Sequence, residues 1–318
     1  MCKKANLKIG SLALALTLVA GAAGAEYPDR TVTLLVNFGA GGGTDSVARV
    51  FQPAFEKAMG ETVVIKNVAG ASGTVGVAEL ASSKSNGYTV GYFPLGATTV
   101  QMYMRDLPYQ KEDLVPVCRV TSQPVILFTT KSSSWNSLED FIKAAKEKPR
   151  KYAYGSSGVG TTPHISMAAA SHALGIDLKH VPANGSAAAV KDLMGGVTHV
   201  HADPPVMLER YEGKPLAFFS DNRVVGYEDV PTLKELGYDL TFSIWQGLFV
   251  PKGTPKDVIT KIAAACKTAS GASSFLNYNK TMNFFPDFLD TKDFETFYAR
   301  EYETAGSVLK KAGLLKKK

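Results

Sequence analysis

Val32-Thr-Leu-Leu-Val-Asn-Phe38, Gly39-Ala-Gly-Gly-Gly43 and Thr44-Asp45 follow one another without a break. The first run is short, largely apolar and rich in β-branched residues, and reads as a buried strand. The glycines form a turn. Beyond them Val47, Phe51, Ala54, Phe55 and Ala58 recur at helical spacing. Thr44 reads as the helix N-cap, and Asp45 suits the positive first turn. Pro53 predicts a kink, and Gly60 a stop. Strand, glycine turn, helix is the repeating unit of α/β architecture.

The same unit recurs along the chain. Thr62-Val-Val-Ile65 is a strand leading to Gly70-Ala71-Ser72-Gly73, and Gly87 to Phe93 is a third strand. Val115 to Thr129, β-branched and containing Pro116 and Pro124, reads as a strand passing between two lobes. A helix from Leu138 to Lys148, begun by Ser137, follows. The strand Tyr152-Ala-Tyr154 then enters the loop Gly155-Ser-Ser-Gly-Val-Gly-Thr-Thr162, with Pro163 at a helix start. Val181 to Ser186 is a fourth loop, opening a helix over Ala187 to Met194. Val230 to Gly237 reads as a short helix, Ser243 to Pro251 as a strand, and helices after Pro255 and Asp293 finish the chain. The expected organisation is a segment 1–25, one lobe from 26–124 with 245–318, and a second from 125–244.

Segment 1–25 has the order of a secretory signal peptide. Lys3, Lys4 and Lys8 precede an apolar run from Ile9 to Ala20, and Ala23-Gly24-Ala25 supplies the small-residue cleavage site. The run is shorter than the ~20 residues a spanning helix needs. Cleavage would leave 293 of the 318 residues, exported to the periplasm. The formal charge of +6 contains these three lysines and five more among the last nine residues; without the eight the remainder is at −2. That excludes a basic face for nucleic acid. Cys118 and Cys266 remain after processing. An oxidising compartment permits a disulfide between them, and burial as small apolar side chains is the alternative.

Chemistry concentrates in the loops. In an open α/β sheet ligands bind beyond the carboxyl ends of strands, where helix N-termini offer free N–H groups and partial positive charge. No Arg or Lys falls within the four loops, so an anion would be held by backbone and hydroxyl donors. Thr44 stands where the dinucleotide fingerprint needs its third glycine, and the lysine of a P-loop is missing. Val159 breaks a nucleophile elbow at Gly155-Ser-Ser-Gly-Val159. His199, His201 and Asp203 alternate, so a strand would put them on one face. That is a conceivable metal set, but a polar strand edge is the preferred reading. No cofactor is expected.

The sequence resembles the substrate-binding receptors of tripartite tricarboxylate transporters, the Bug-type receptors, over essentially the whole mature chain. The resemblance rests on Tyr27-Pro28, Val36 to Asp45 with Ala48-Arg49, Asn67, Gly70 to Gly73 with Gly76, and Gly87-Tyr-Thr89. It continues with Tyr154 to Gly160, His164, Pro182-Ala-Asn-Gly185, Asp192-Leu-Met-Gly-Gly196, Val230-Pro-Thr232, Trp245-x-Gly247 and Pro251-x-Gly-Thr-Pro255. It implies a two-lobed periplasmic-binding fold (type II-like), each lobe a sheet flanked by helices, closing on a small carboxylate: a di- or tricarboxylate, an acidic amino acid or an aromatic acid. It also implies delivery to a two-subunit membrane permease, by a monomer and not an enzyme. Carried over by position, the ligand residues are Phe38, Gly39, Gly42, Gly43, Thr44 and Asp45, then Ala71, Ser72 and Gly73. The second lobe supplies Ser156, Ser157, Thr161, Thr162, His164, Ala183, Asn184 and Asp203. Asn37 stands where the family usually has proline, Ala183 where it has an aromatic, and Val197 to Ala202 is atypical. A missing aromatic at Ala183 would enlarge the pocket. The alternatives are a secreted hydrolase using Ser157 and His164, and a ligand-sensing receptor subunit.

Overall fold

The computed structural model describes residues 1, 27–281, 285–311 and 315–316. The expected signal peptide lies, apart from Met1, outside them. Among the described residues no helix is long and apolar enough to cross a membrane.

Two sheets organise the chain. The first is built from β1 (Val32–Val36), α1 (Gly43–Met59), β2 (Val63–Asn67), α2 (Thr74–Ser82), β3 (Thr89–Pro94), α3 (Gln101–Met104) and β4 (Leu114–Pro124). One residue later the chain enters the second sheet as β5 (Ile126–Thr129). That half continues with α4 (Leu138–Glu147), β6 (Ala153–Ser156), α5 (Thr162–Leu174), β7 (Lys179–Pro182), α6 (Ser186–Met194), β8 (Val200–Asp203), α7 (Pro205–Arg210) and β9 (Lys214–Phe218). The chain returns through β10 (Ser243–Pro251) and ends with α8 (Lys256–Ser270), α9 (Ser273–Thr281), β11 (Phe285–Leu289) and α10 (Thr291–Lys311).

The strand orders are β11-β4-β10-β3-β1-β2 and β7-β6-β8-β5-β9. Each sheet therefore contains the same arrangement, in which its first βα strand lies between the second and third in parallel pairing. An antiparallel strand borders the third in both, β10 beside β3 and β5 beside β8. Such an order reverses direction between the first and third strands, and that switch point is where the connecting loops part and leave a crevice.

The inner strands β1 and β3 are covered on both faces, which explains their largely apolar runs, whereas the edge strand β2 exposes Val64 and Lys66. Leu34 and Val36 point to a core shared with Phe51, Phe55, Ile262 and Phe275. Leu35 points the opposite way, to Val77, Leu80, Trp245, Phe249 and Phe294. Trp245 is fully buried among aromatic rings, with its indole N–H donating to Glu301 Oε2 at 3.1 Å. A disulfide joins Cys118 of β4 to Cys266 of α8 within this half, resolving the alternative that the sequence left open.

Two local expectations are revised. The N-cap of α1 is Gly42, not Thr44. The Asp45 carboxylate accepts from the Gly41 N–H at 2.8 Å and draws the turn back over the helix start, placing Thr44 inside the first turn. The segment from Leu233 to Gly237 forms turns, not a helix. There the Thr232 N–H and hydroxyl are both engaged by Glu235, and Thr232 bridges Phe218. That reciprocal pair is a helix-start signature, but Gly237, in the left-handed region at φ 89°, closes the single turn that it opens.

Candidate functional site

The two switch points face each other across a cavity of about 70 Å³. One water needs ~10–15 Å³ of such space, so the cavity suits a single small molecule. From the first half it is lined by Phe38 to Ala40 and Gly42 to Thr44 after β1, and by Pro94 and Gly96 after β3. Ile244 and Gln246 of β10 complete that side. The second half contributes Ser157 and Thr161 to Pro163 after β6, Asn184 to Ala187 after β7, and Asp203 and Pro204 after β8.

Three helices begin at this cavity. Their N-caps are Gly42 for α1, Thr161 for α5 and Gly185 for α6, and none is closed by a side-chain hydrogen bond. The leading N–H groups of a helix have no partner inside it, and aligned peptide dipoles add positive potential there. The Thr161 hydroxyl is spent on the Gly158 carbonyl at 2.8 Å and does not cap its helix. Among the described residues no Lys, Arg or His lines the cavity, and Asp203 is the one ionisable side chain that does. The arrangement offers converging neutral donors to a small anion.

The expected ligand residues divide into two groups. Phe38, Gly39, Gly42, Gly43, Thr44, Ser157, Thr161, Thr162, Asn184 and Asp203 line the cavity. Asp45, Ala71, Ser72, Gly73, Ser156, His164 and Ala183 stand behind or beside it. Asp45 is almost fully buried and holds the first loop, accepting from Gly41, Arg49 and Asn67. Burial pushes its carboxyl up, but these hydrogen bonds and the Arg49 charge outweigh burial and hold it below the ordinary range. Asn67 also donates to the Phe38 carbonyl at 2.9 Å, fixing the turn from a second side.

Ser72 meets the other half of the molecule. Gly158 has φ +135° and approaches so closely that a Cβ there would stand 2.5 Å from the Ser72 hydroxyl oxygen. Gln101 donates to the Val159 carbonyl, and Arg210 donates to the Gly41 carbonyl and the Ser46 hydroxyl. These contacts join the two halves around the cavity. Asn37, at the end of β1, donates to the Gly73 carbonyl at 3.2 Å and ties the first two loops together.

Ser156 Oγ meets His180 Nε2 at 2.7 Å, and His180 stacks on His164 at 4.1 Å and on Tyr154 at 4.8 Å. Burial lowers both histidines to about 4. His164 Nδ1 accepts from the Gly160 N–H at 3.0 Å, so the ring shapes the loop from behind. Among the described residues no hydrogen bond joins His164 to Ser157, so the hydrolase pair is not assembled. Nor does any group of three His, Cys, Asp or Glu residues among them fit a metal ion. His199 Nδ1 accepts from the Ala153 N–H, whereas His201 bonds Asp203. Ala183 uses its N–H to bond the Ser156 carbonyl and contributes no lining.

Several lining residues escaped the sequence reading. Pro94 and Gly96 carry no polar side chain. Ile244 and Gln246 lie on a strand running against β3, and only the sheet order brings them to the crevice.

Residues 47–314 match the model of the tripartite tricarboxylate transporter family receptor, TctC. Protein BugT of Bordetella pertussis is 33% identical over 241 residues, covering 73% of this chain and 74% of that protein. A structure from R. palustris with adipate superposes with a TM-score of 0.87 at 29% identity, covering 92% of this chain and 100% of the other. MatC from Rhodopseudomonas palustris with bound malate gives 0.83 at 25% identity, covering 89% and 100%. Fold, opposed switch points and family match agree: the chain belongs to the tripartite tricarboxylate transporter receptor family of solute-binding proteins.

Proposed function

We propose that the chain is a periplasmic receptor that captures a small carboxylate and presents it to a two-subunit membrane permease. The observation that carries this reading is the convergence of three uncapped helix N-termini, from both halves, on one cavity without a basic side chain. Such a site gives a carboxylate N–H and hydroxyl donors. The adipate and malate in two relatives of the same fold support the ligand class. The disulfide supports export to an oxidising compartment, and with it the reading of residues 1–25 as a removed signal peptide.

In this reading residues 26–124 with 245–318 form one lobe and 125–244 the other. The lobes open by hinge rotation, and closure on the ligand makes the surface that the permease recognises. The binding residues are those lining the cavity, with Asp45, Asn37, Ser156 and His164 holding the loops in shape. The test is calorimetry on the mature chain with a panel of di- and tricarboxylates and aromatic acids, alongside thermal melting. Binding of at least one, with a melting point rising with its concentration, is expected. A panel that neither binds nor shifts the melting point would overturn the assignment.

A further inference from the structure

We propose that the cargo carries a neutral hydroxyl group beside its carboxylate, received by Asp203, and that His201 sets this preference by neutralising Asp203. The proposal rests on the carboxylate-receptor reading and goes further, naming the substituent that the site selects.

The His201 ring is fully buried, with Nδ1 at 3.0 Å from the Gly155 carbonyl oxygen and Nε2 at 2.9 Å from Asp203 Oδ2. A carbonyl oxygen only accepts, so Nδ1 must carry a proton. Nε2 then faces the carboxyl group in one of two ways. Either it is protonated and donates to a carboxylate, or it is bare and accepts from a carboxylic acid. A bare nitrogen against a carboxylate would set two lone pairs against each other at 2.9 Å inside a low-dielectric interior, an expensive arrangement. Both permitted forms give the pair zero net charge. In both, the proton between the residues lies on the Oδ2 side, and Oδ1 remains an acceptor.

The surroundings keep that balance local. His201 and Asp203 alternate on β8 and share the face opposite Val200 and Ala202, which pack into the core. Phe128 of β5 stands edge-on to the imidazole at 5.5 Å. On β6 it is Gly155 that meets the ring, and a Cβ there would lie 3.3 Å from Nδ1 and 3.4 Å from the α6 carbonyl of Ala189. Asp203 is the charged group that these elements turn towards His201. Among the described residues only Oδ2 of Asp203 is engaged by a side chain, while Asp203 itself lines the cavity.

A neutral acceptor in a cavity of helix N-termini selects a particular chemistry. The free acceptor needs a donor, and a ligand without one leaves a desolvated oxygen unpaired. An ammonium would supply a donor but would be stripped of water opposite a pair with no net charge to balance it. A hydroxyl supplies the donor without that cost. The favoured cargo is thus a hydroxycarboxylate, ahead of the matching amino acid or unsubstituted acid.

The experiment uses two matched series on the purified mature chain by calorimetry: succinate, malate and aspartate, then glutarate, 2-hydroxyglutarate and glutamate. In at least one series the hydroxy acid is expected to bind tenfold or more tightly than both companions. His201→Gln leaves the Asp203 charge uncompensated and should move the hydroxy-to-amino affinity ratio at least tenfold towards the amino acid. Asp203→Ala should bring the hydroxy-to-unsubstituted ratio to within about twofold of one, with circular dichroism confirming the fold. Equal affinities across a series that does bind, or a ratio unmoved in His201→Gln, would overturn the proposal and leave the carboxylate reading standing. If all six acids and the wider panel fail to bind, the carboxylate reading falls, and this proposal with it.

Discussion

Arg210 Nη2 donates to Ser46 Oγ at 2.7 Å, from the end of α7 to the first turn of α1. The same guanidinium donates to the Gly41 carbonyl. Arg210 lies outside the cavity lining and spans from one half to the other, which under the proposed function assigns it to closure and not to ligand contact. Hydrogen bonds from a charged group contribute ~1.5–3 kcal/mol each when well formed, less at an exposed position. Arg210→Gln should speed ligand release about tenfold by stopped-flow measurement while leaving the melting point of the ligand-free protein within a few degrees. An unchanged release rate would remove Arg210 from the closing contacts.

Gly158 offers a second handle on closure. Its φ of +135° excludes a side chain on conformational grounds, and the space is taken by Ser72. Gly158→Ala should weaken ligand affinity by tenfold or more. Ser72→Gly in the same chain should recover part of the loss, because it removes the clash but not the backbone strain. No recovery would assign the whole effect to the backbone.

Gly43 separates binding from folding. It stands at the first helical position of α1, and a Cβ there meets nothing within 4 Å. An acidic residue in a first turn favours the helix dipole. Gly43→Asp should therefore fold with an unchanged or slightly raised melting point, yet lose carboxylate binding entirely, because its own carboxylate takes the donors. Retained binding would show that the α1 N-terminus does not hold the ligand.

The buried histidine stack makes stability fall in acid. His164 and His180 are lowered from 6.5 to about 4 by burial, His180 also by the proximity of His164. Between these values the unfolded chain binds protons that the folded one refuses, so stability is full above pH 6.5 and declines as pH falls to about 4. Urea midpoints should drop across this window. His164→Gln with His180→Gln should flatten the profile there; an equally steep decline in the double variant would refute the assignment.

The disulfide closes a loop spanning 148 residues in sequence. Chain-entropy arguments give about 5 kcal/mol for such a loop, with ~2–4 kcal/mol typical of measured bridges. Cys118→Ser with Cys266→Ser should lower unfolding free energy by about 3 kcal/mol, read from urea denaturation. Ligand affinity should be retained, because both cysteines lie in one half and away from the cavity. A loss of affinity would mean that the bridge shapes the site.

Much of this molecule was legible in residue order. Val32 to Phe38 and Ser243 to Pro251 are buried strands whose composition declares them, and Ser137 caps α4 as expected by accepting from the Asp140 N–H. The cavity loops were legible as glycine-rich junctions between strand and helix. What each side chain does within them was not. Ser72, Ser156 and Ser157 look alike in sequence, yet Ser72 meets Gly158, Ser156 bonds His180 and Ser157 lines the cavity. The difference comes from the pleat and from the approach of the opposite half. Gln246 is the clearest omission: its role depends on a strand returning antiparallel between β3 and β4.

The passage from β4 to β5 leaves Val125 alone between strands of different sheets. If the halves open as proposed, so short a crossing would favour turning about Val125 over sliding. A few atoms seated between the switch points would then act on the short arm of a lever. The far rims of the two halves, where a membrane partner would touch, would sweep through a larger arc than the loops at the centre. Occupancy of a space of about 70 Å³ would thus be reported as a change of angle legible from outside.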